Sequence, residues 1–207
     1  GELTRHVTHF LRPHPSRFGE VLIATQTLSA DVPNNVFVSE DGGQTWVPSN
    51  IQTRGRIRTL LRAQADPEFV YAVYSDGAAR SENGGHSFQP IDLNQILMES
   101  VDGTDFELLA VHPARPMEIY GAVVRFPESL LLRSTDGGET WTELLAVEDI
   151  PETLVFNEDG TQCLLSMPFE GLHISSDGCS TFEPMPTNLV QEWLSCLTRG
   201  PDNTIWA

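Results

Sequence analysis

Apolar residues in this chain recur at alternate positions in short runs, each closed by a cluster of Pro, Gly, Asp or Asn. A period of two with turn residues between runs predicts strands, and no window of helical length carries a 3.6-residue period. Only residues 94–101 have the composition for a turn or two of helix. The strands come in sets. Runs at 6–11 and 20–27 flank a Pro-rich turn, a third at 35–39 enters a Gly-rich turn, and a short strand leaves it. The order returns at 57–63, 70–74 and 78–81, at 107–112, 119–124 and 130–134, and at 153–156, 162–167 and 172–175. We label the strands of each set A to D.

The Gly-rich turn is itself a repeat, which matters more than any single element because a fixed period of this length signals stacked structural units. Its first copy is Ser39-Glu-Asp41-Gly-Gly43-Gln-Thr45-Trp46. Ser81-Glu-Asn83-Gly-Gly85-His-Ser87-Phe88, Ser134-Thr-Asp136-Gly-Gly138-Glu-Thr140-Trp141 and Ser175-Ser-Asp177-Gly-Cys179-Ser-Thr181-Phe182 align with it without gaps. Successive starts are 42, 53 and 41 residues apart, which suits one four-stranded unit per repeat. The chemistry is that of a turn. The third-position Asp accepts backbone N–H bonds from downstream, Gly supplies positive φ, and the aromatic anchors the departing strand. The second and fourth copies depart from the pattern at Asn83, Ser87, Phe88 and Cys179, which predicts looser turns there.

These residues resemble the Asp-box, or BNR repeat, of bacterial sialidases, sortilin-type receptors, xyloglucanase-like glycosidases and the photosystem II assembly factor. The resemblance implies an all-β fold, a β-propeller of four-stranded antiparallel blades with the box at each C–D turn. Blades then fall at 6–49, 57–91, 106–145 and 153–185, with an incomplete fifth at 193–207. Four and a half blades do not close a ring, so the expectation is a piece of a longer protein or a propeller completed by another chain or segment. The family's habits favour a secreted or periplasmic location.

Charge narrows the partners. Of 207 residues 29 are Asp or Glu and 12 are Arg, with no Lys, for a formal charge of −17. Excess anionic charge opposes general nucleic-acid binding and adsorption to an anionic bilayer. No apolar run is long enough for a helix that inserts into a membrane. Cys163, Cys179 and Cys196 show neither ligand spacing nor a disulfide framework and read as buried thiols. His6, His9 and His14 read as strand and turn residues rather than metal ligands, so neither a metal nor a cofactor is expected.

Candidate chemistry lies opposite the boxes. A–B and C–D turns share one end of a blade, and B–C and D–A loops share the other. Arg54, Arg56 and Arg58 alternate into strand A of the second blade, with Arg62 in the same parity. They predict a comb that grips a carboxylate or an acidic segment. Two B–C turns, Arg125-Phe126-Pro-Glu128 and Pro168-Phe169-Glu170-Gly171, place rings and carboxylates on successive blades. The long insertion at 91–105, with Ile96, Leu97 and Met98, is a further docking candidate. The leading expectation is a non-catalytic scaffold that binds a protein partner or a carbohydrate ligand through this face. The alternative is a glycoside hydrolase, sialidase- or xyloglucanase-like, with Glu128 and Glu170 as acid and base. A sialidase is disfavoured because Arg56-Ile57-Arg58 lacks the family's Pro and because Tyr71, Tyr74 and Tyr120 all fall on B strands.

Overall fold

A computed structural model describes residues 6–27, 34–53, 55–97, 104–185, 198–199 and 205–206. The chain divides into two units, Gly1–Leu93 and Asn94–Ala207. The first unit holds two antiparallel four-stranded sheets, each in simple sequence order. Blade 1 is β1 (His6–Pro13), β2 (Val21–Thr27), β3 (Asn34–Ser39) and β4 (Val47–Thr53). Blade 2 is β5 (Ile57–Arg62), β6 (Val70–Tyr74), β7 (Gly77–Ser81) and β8 (Gln89–Ile91).

The second unit opens with α1 (Asn94–Leu97), so the predicted helical turn exists, its remainder lying outside the described residues. Blade 3 is β9 (Asp105–Val111), β10 (Ile119–Val124), β11 (Ser129–Ser134) and β12 (Thr142–Val147). Blade 4 is β13 (Thr153–Phe156), β14 (Cys163–Met167), β15 (Gly171–Ser175) and β16 (Glu183–Pro184). A two-stranded pair, β17 (Thr198–Arg199) and β18 (Ile205–Trp206), follows. The expected strands over 193–198 and 204–207 otherwise lie outside the described residues.

Burial follows sheet position. Middle strands are covered on both faces, and β3 and β14 are buried at every residue. These are the near-continuous apolar runs of the sequence. The A strand β9 alternates buried and half-buried, as a strand with one covered face must. In the first unit Leu22, Val36, Val38, Leu60, Val70 and Phe88 form the core between the two sheets. In the second, Tyr120, Leu131, Phe156 and Leu165 do the same.

Three A strands carry a β-bulge. Pairing slips between Thr8 and Phe10 in β1, between Ile57 and Thr59 in β5, and opposite Tyr120 and Gly121 in β9. An extra residue in one strand locally disrupts the ladder and re-aims the side chains beside it. In β5, Arg62 therefore does not continue the parity of Arg56 and Arg58. Along Ile57–Arg62 every third residue is buried rather than every second. Arg62 lies beyond the bulge and turns inward, its Nη1 donating to Glu20 Oε1 at 2.8 Å with both side chains 5% exposed.

Three of the four boxes are closed the same way. The Ser39 hydroxyl meets Asp41 Oδ1 at 2.9 Å and accepts from Gly43 N at 2.8 Å. Thr45 N and Oγ1 donate to the two Asp41 oxygens at 2.9 and 2.6 Å. The boxes of Asp136 and Asp177 repeat this set. The departures do not loosen the turn. Asn83 Oδ1 accepts from Ser81 Oγ and Ser87 N at 2.9 Å, and its Nδ2 donates to Ser87 Oγ at 2.8 Å, replacing the bond Thr makes to Asp. Cys179 stands in the glycine slot at φ 63°. At the same slot in the second box, Gly85 packs so closely that a Cβ would collide with Leu22. Cys196 lies outside the described residues, but the buried-thiol reading also needs correction at Cys163 and Cys179, which are joined by a disulfide that ties strand B of blade 4 to its own box. Sequence spacing concealed this, since box and strand are neighbours only through the B–C hairpin.

Candidate functional site

The face bearing the B–C and D–A loops is pinned in both units. In the first unit Thr53, ending β4, donates its hydroxyl to Asp76 Oδ1 at 2.7 Å and accepts from Gly55 N at 2.9 Å. Asn34 Nδ2 donates to Gly55 O at 2.8 Å. Ser75 N donates to Arg56 O at 3.1 Å, and Arg56 N donates back to Ser75 Oγ at 3.1 Å. The D–A crossing into blade 2 is thus tied to that blade's own B–C turn. Arg56 is exposed, with Nη2 2.5 Å from His9 Nε2 on β1. Arg58 is half-buried at the bulge. Arg54 lies outside the described residues. Beside this crossing a cleft of about 350 Å³ is lined by Thr53, Tyr74, Asp76, Phe88 and Pro90 among others. The A strands β1 and β5 carry Arg12, Arg58 and Arg62 and no carboxylate, in a chain with 29 of them.

In the second unit the two B–C turns are held by different means. Arg125 Nε donates to Glu128 O at 3.1 Å, closing a turn through a cis Phe126–Pro127 bond. The turn of blade 4 rests on Asp149, in the D–A loop between β12 and β13. Asp149 is 4% exposed. Its Oδ2 accepts from Phe169 N and Glu170 N at 2.8 Å each, and its Oδ1 from Ile150 N at 2.7 Å. Three backbone donors satisfy this buried carboxylate. Nearby, Glu152 is pushed up by burial and then by the charge of Asp149. On these fixed turns the rings project outward, Phe126 at 90% and Phe169 at 69% exposure. Glu128 is exposed as well, and Glu170 is exposed with its carboxylate 3.8 Å from His173 Nε2. Neither glutamate stands in a water-excluding pocket of the kind that tunes a general acid.

Of the insertion at 91–105, Ile96 and Leu97 are half-buried, while Met98 lies outside the described residues. His14 Nδ1 accepts from Ser16 N and Arg17 N at 3.2 and 2.9 Å, a turn role. Among the described residues no cluster of His, Cys, Asp and Glu is arranged to hold a metal.

Sequence reasoning missed Asp149, which has no counterpart in the other repeats to flag it. It also missed the buried glutamates before strand B. Glu118 is bound by Arg115 Nε and Nη2 at 2.5 and 3.0 Å, by Arg133 Nη2 at 2.9 Å and by the Tyr120 hydroxyl at 2.6 Å. Burial pushes its carboxyl up, but these donors outweigh it and hold it low. Here a signal existed. Arg17-Phe-Gly-Glu20 and Arg115-Pro-Met-Glu118 share both residue types and spacing.

Comparison with known proteins agrees with this geometry. Residues 132–143, the third box, match the BNR/Asp-box repeat family. A xyloglucanase of Paenibacillus sp is 28% identical over 147 residues, covering 64% of this chain and 14% of the enzyme. The crystal structure of a GH74 xyloglucanase from Xanthomonas campestris superposes with a TM-score of 0.63 at 21% identity, over 84% of this chain and 28% of that one. YCF48 bound to a D1 peptide superposes with a TM-score of 0.60 at 16% identity, over 98% of this chain and 62% of that one. The chain therefore spans a small part of the xyloglucanases and under two thirds of YCF48. At such identities the structural likeness speaks for the fold. The third box thus matches the BNR/Asp-box repeat, and the four antiparallel four-stranded blades share the β-propeller fold of these structures.

Proposed function

We propose that the chain is a non-catalytic binding scaffold in which the B–C and D–A loop end of each unit, taken by itself, contacts an acidic protein segment. One observation carries this reading: equivalent B–C turns of successive blades hold large apolar rings out in water on fixed backbones, as Phe126 and Phe169 do. Rigid exposed aromatics are expensive to leave solvated and suit a contact surface. In the first unit the exposed Arg56, where the D–A crossing enters β5, offers a fork-shaped donor for an acidic group. The peptide-bound YCF48 structure supports a peptide ligand for this fold without assigning one here.

A second reading, a xyloglucan-type hydrolase using Glu128 and Glu170, is favoured by the Paenibacillus likeness. One experiment separates the two. An array of synthetic acidic and basic peptides, run beside β-glucan and sialoside oligosaccharides, is probed with the chain and its F126A/F169A and R56E variants. The scaffold reading expects retention on acidic peptides, weakened tenfold or more by either variant, with unchanged melting. Saccharide cleavage that disappears in E128Q or E170Q overturns it.

A further inference from the structure

The opposite face, at the A–B turns, contains a carboxylate partner in one unit and an opening in the other. In the first unit Arg17 pairs with Glu20 of its own turn and with Glu68, from the A–B turn of the next blade. Arg115 is the counterpart of Arg17 in the second unit, three residues after a buried His in each case. The repeat also fixes the counterpart of Glu68. Glu68 O accepts from Gly84 N of its box at 2.9 Å, and Thr161 O accepts from Gly178 N at 2.9 Å. Glu68 N donates to Asp66 Oδ1, and Thr161 N to Asp159 Oδ1. Thr161 thus stands where Glu68 does, without its carboxylate.

The structure holds a cavity of about 420 Å³ at this place, lined by Arg115, Arg133, Asp159, Thr161 and Asp177 among other polar residues. Arg115 remains 54% exposed there. We propose that this cavity between the A–B turns of blades 3 and 4 binds a carboxylate, which takes the position of the missing Glu68-type side chain against Arg115. The two aspartates do not forbid it. Asp177 is consumed by Ser175, Ser180 and Thr181 of its own box, and Asp159 Oδ1 accepts the Thr161 hydroxyl at 2.6 Å. In the first unit Asp66 occupies the Asp159 position, and a carboxylate still sits against Arg17. The carboxylate comes either from a free small acid or from a Glu side chain of a bound peptide, two sources with one chemistry.

Calorimetric titration of the whole chain at low salt, with glutarate and with a blocked Gly-Glu-Gly peptide, tests the site. Saturable binding of at least one is expected, weaker in higher salt because the contact is ionic. Tighter binding of the peptide identifies a side-chain ligand, and tighter binding of glutarate a free acid. T161E supplies the carboxylate in cis, so it should weaken binding roughly tenfold or more and raise the melting temperature. R115Q should weaken binding to a similar degree while Arg133 and Tyr120 still hold Glu118. The absence of saturable binding by either ligand, or unchanged affinity in both variants, overturns the proposal.

Discussion

Asp136 and Asn83 occupy the same place in two boxes and close the turn with different chemistry. Asp136 accepts from Ser134, Glu139 and Thr140, whereas Asn83 accepts from Ser81 and the Ser87 amide and donates to the Ser87 hydroxyl. The turn requires an acceptor at Oδ1 and a complementary partner at the second atom, not a charge. Asp136→Asn should therefore cost little, since its new amide can donate to the Thr140 hydroxyl. Asp136→Ala removes the acceptor and should cost about 1–3 kcal/mol in urea unfolding. Equal losses in the two variants would show that charge matters after all. Acid unfolding reads the same groups. Hydrogen bonds from Thr45 pull Asp41 down to about 2, and those from Thr140 and Ser134 bring Asp136 to about 2 against the upward push of burial. A carboxyl held low when folded contributes stability that is full above its ordinary value near 4 and is lost as pH falls towards about 2. His14 and His112 are pushed down by burial, so their contribution is full above about 6.5 and declines on acidification below it. Melting temperature against pH should fall in two stages, below about 6.5 and again between about 4 and 2. A flat profile from neutral pH to pH 3 would contradict these assignments.

At the scale of elements, strand A decides which predictions held. Alternation and turn residues place most strands within a residue or two of where they lie, because middle strands are buried on both faces and announce themselves as apolar runs. The boxes were legible for a related reason, since every hydrogen bond within them is local in sequence. The bulges in β1, β5 and β9 were not legible. An inserted residue changes pairing without leaving a compositional mark, and extrapolating parity across it put Arg62 on the wrong side. Arg62 instead completes a buried pair with Glu20, with Arg17 alongside. Arg62→Met should destabilise the chain by about 1–3 kcal/mol, because it strips one of two cationic partners from a buried carboxylate and leaves Arg17 on the other oxygen. A loss below about 1 kcal/mol, typical of a surface pair, would mean that Glu20 is solvated. Asp149 was equally hidden, being a single residue that buttresses a turn about twenty positions away.

For the whole molecule, the distribution of charge says more than its sum. A formal charge of −17 repels anionic surfaces at long range, yet Arg56 in the first unit is exposed and the ringed turns of the second stand out in water. On the proposed reading the two ends of the blades do different work: boxes and buried Arg–Glu pairs build one end and leave a carboxylate-sized cavity between blades 3 and 4, while the B–C and D–A loops of each unit meet a protein partner at the other. The most direct test is amide hydrogen exchange of the chain with and without the acidic peptide that the array retains best. Protection is expected at 55–58, 125–128 and 168–171, with the box turns at 39–46 and 134–141 unchanged. Protection confined to the box turns, or none at the B–C turns, would contradict the central claim that the loop face is the binding surface.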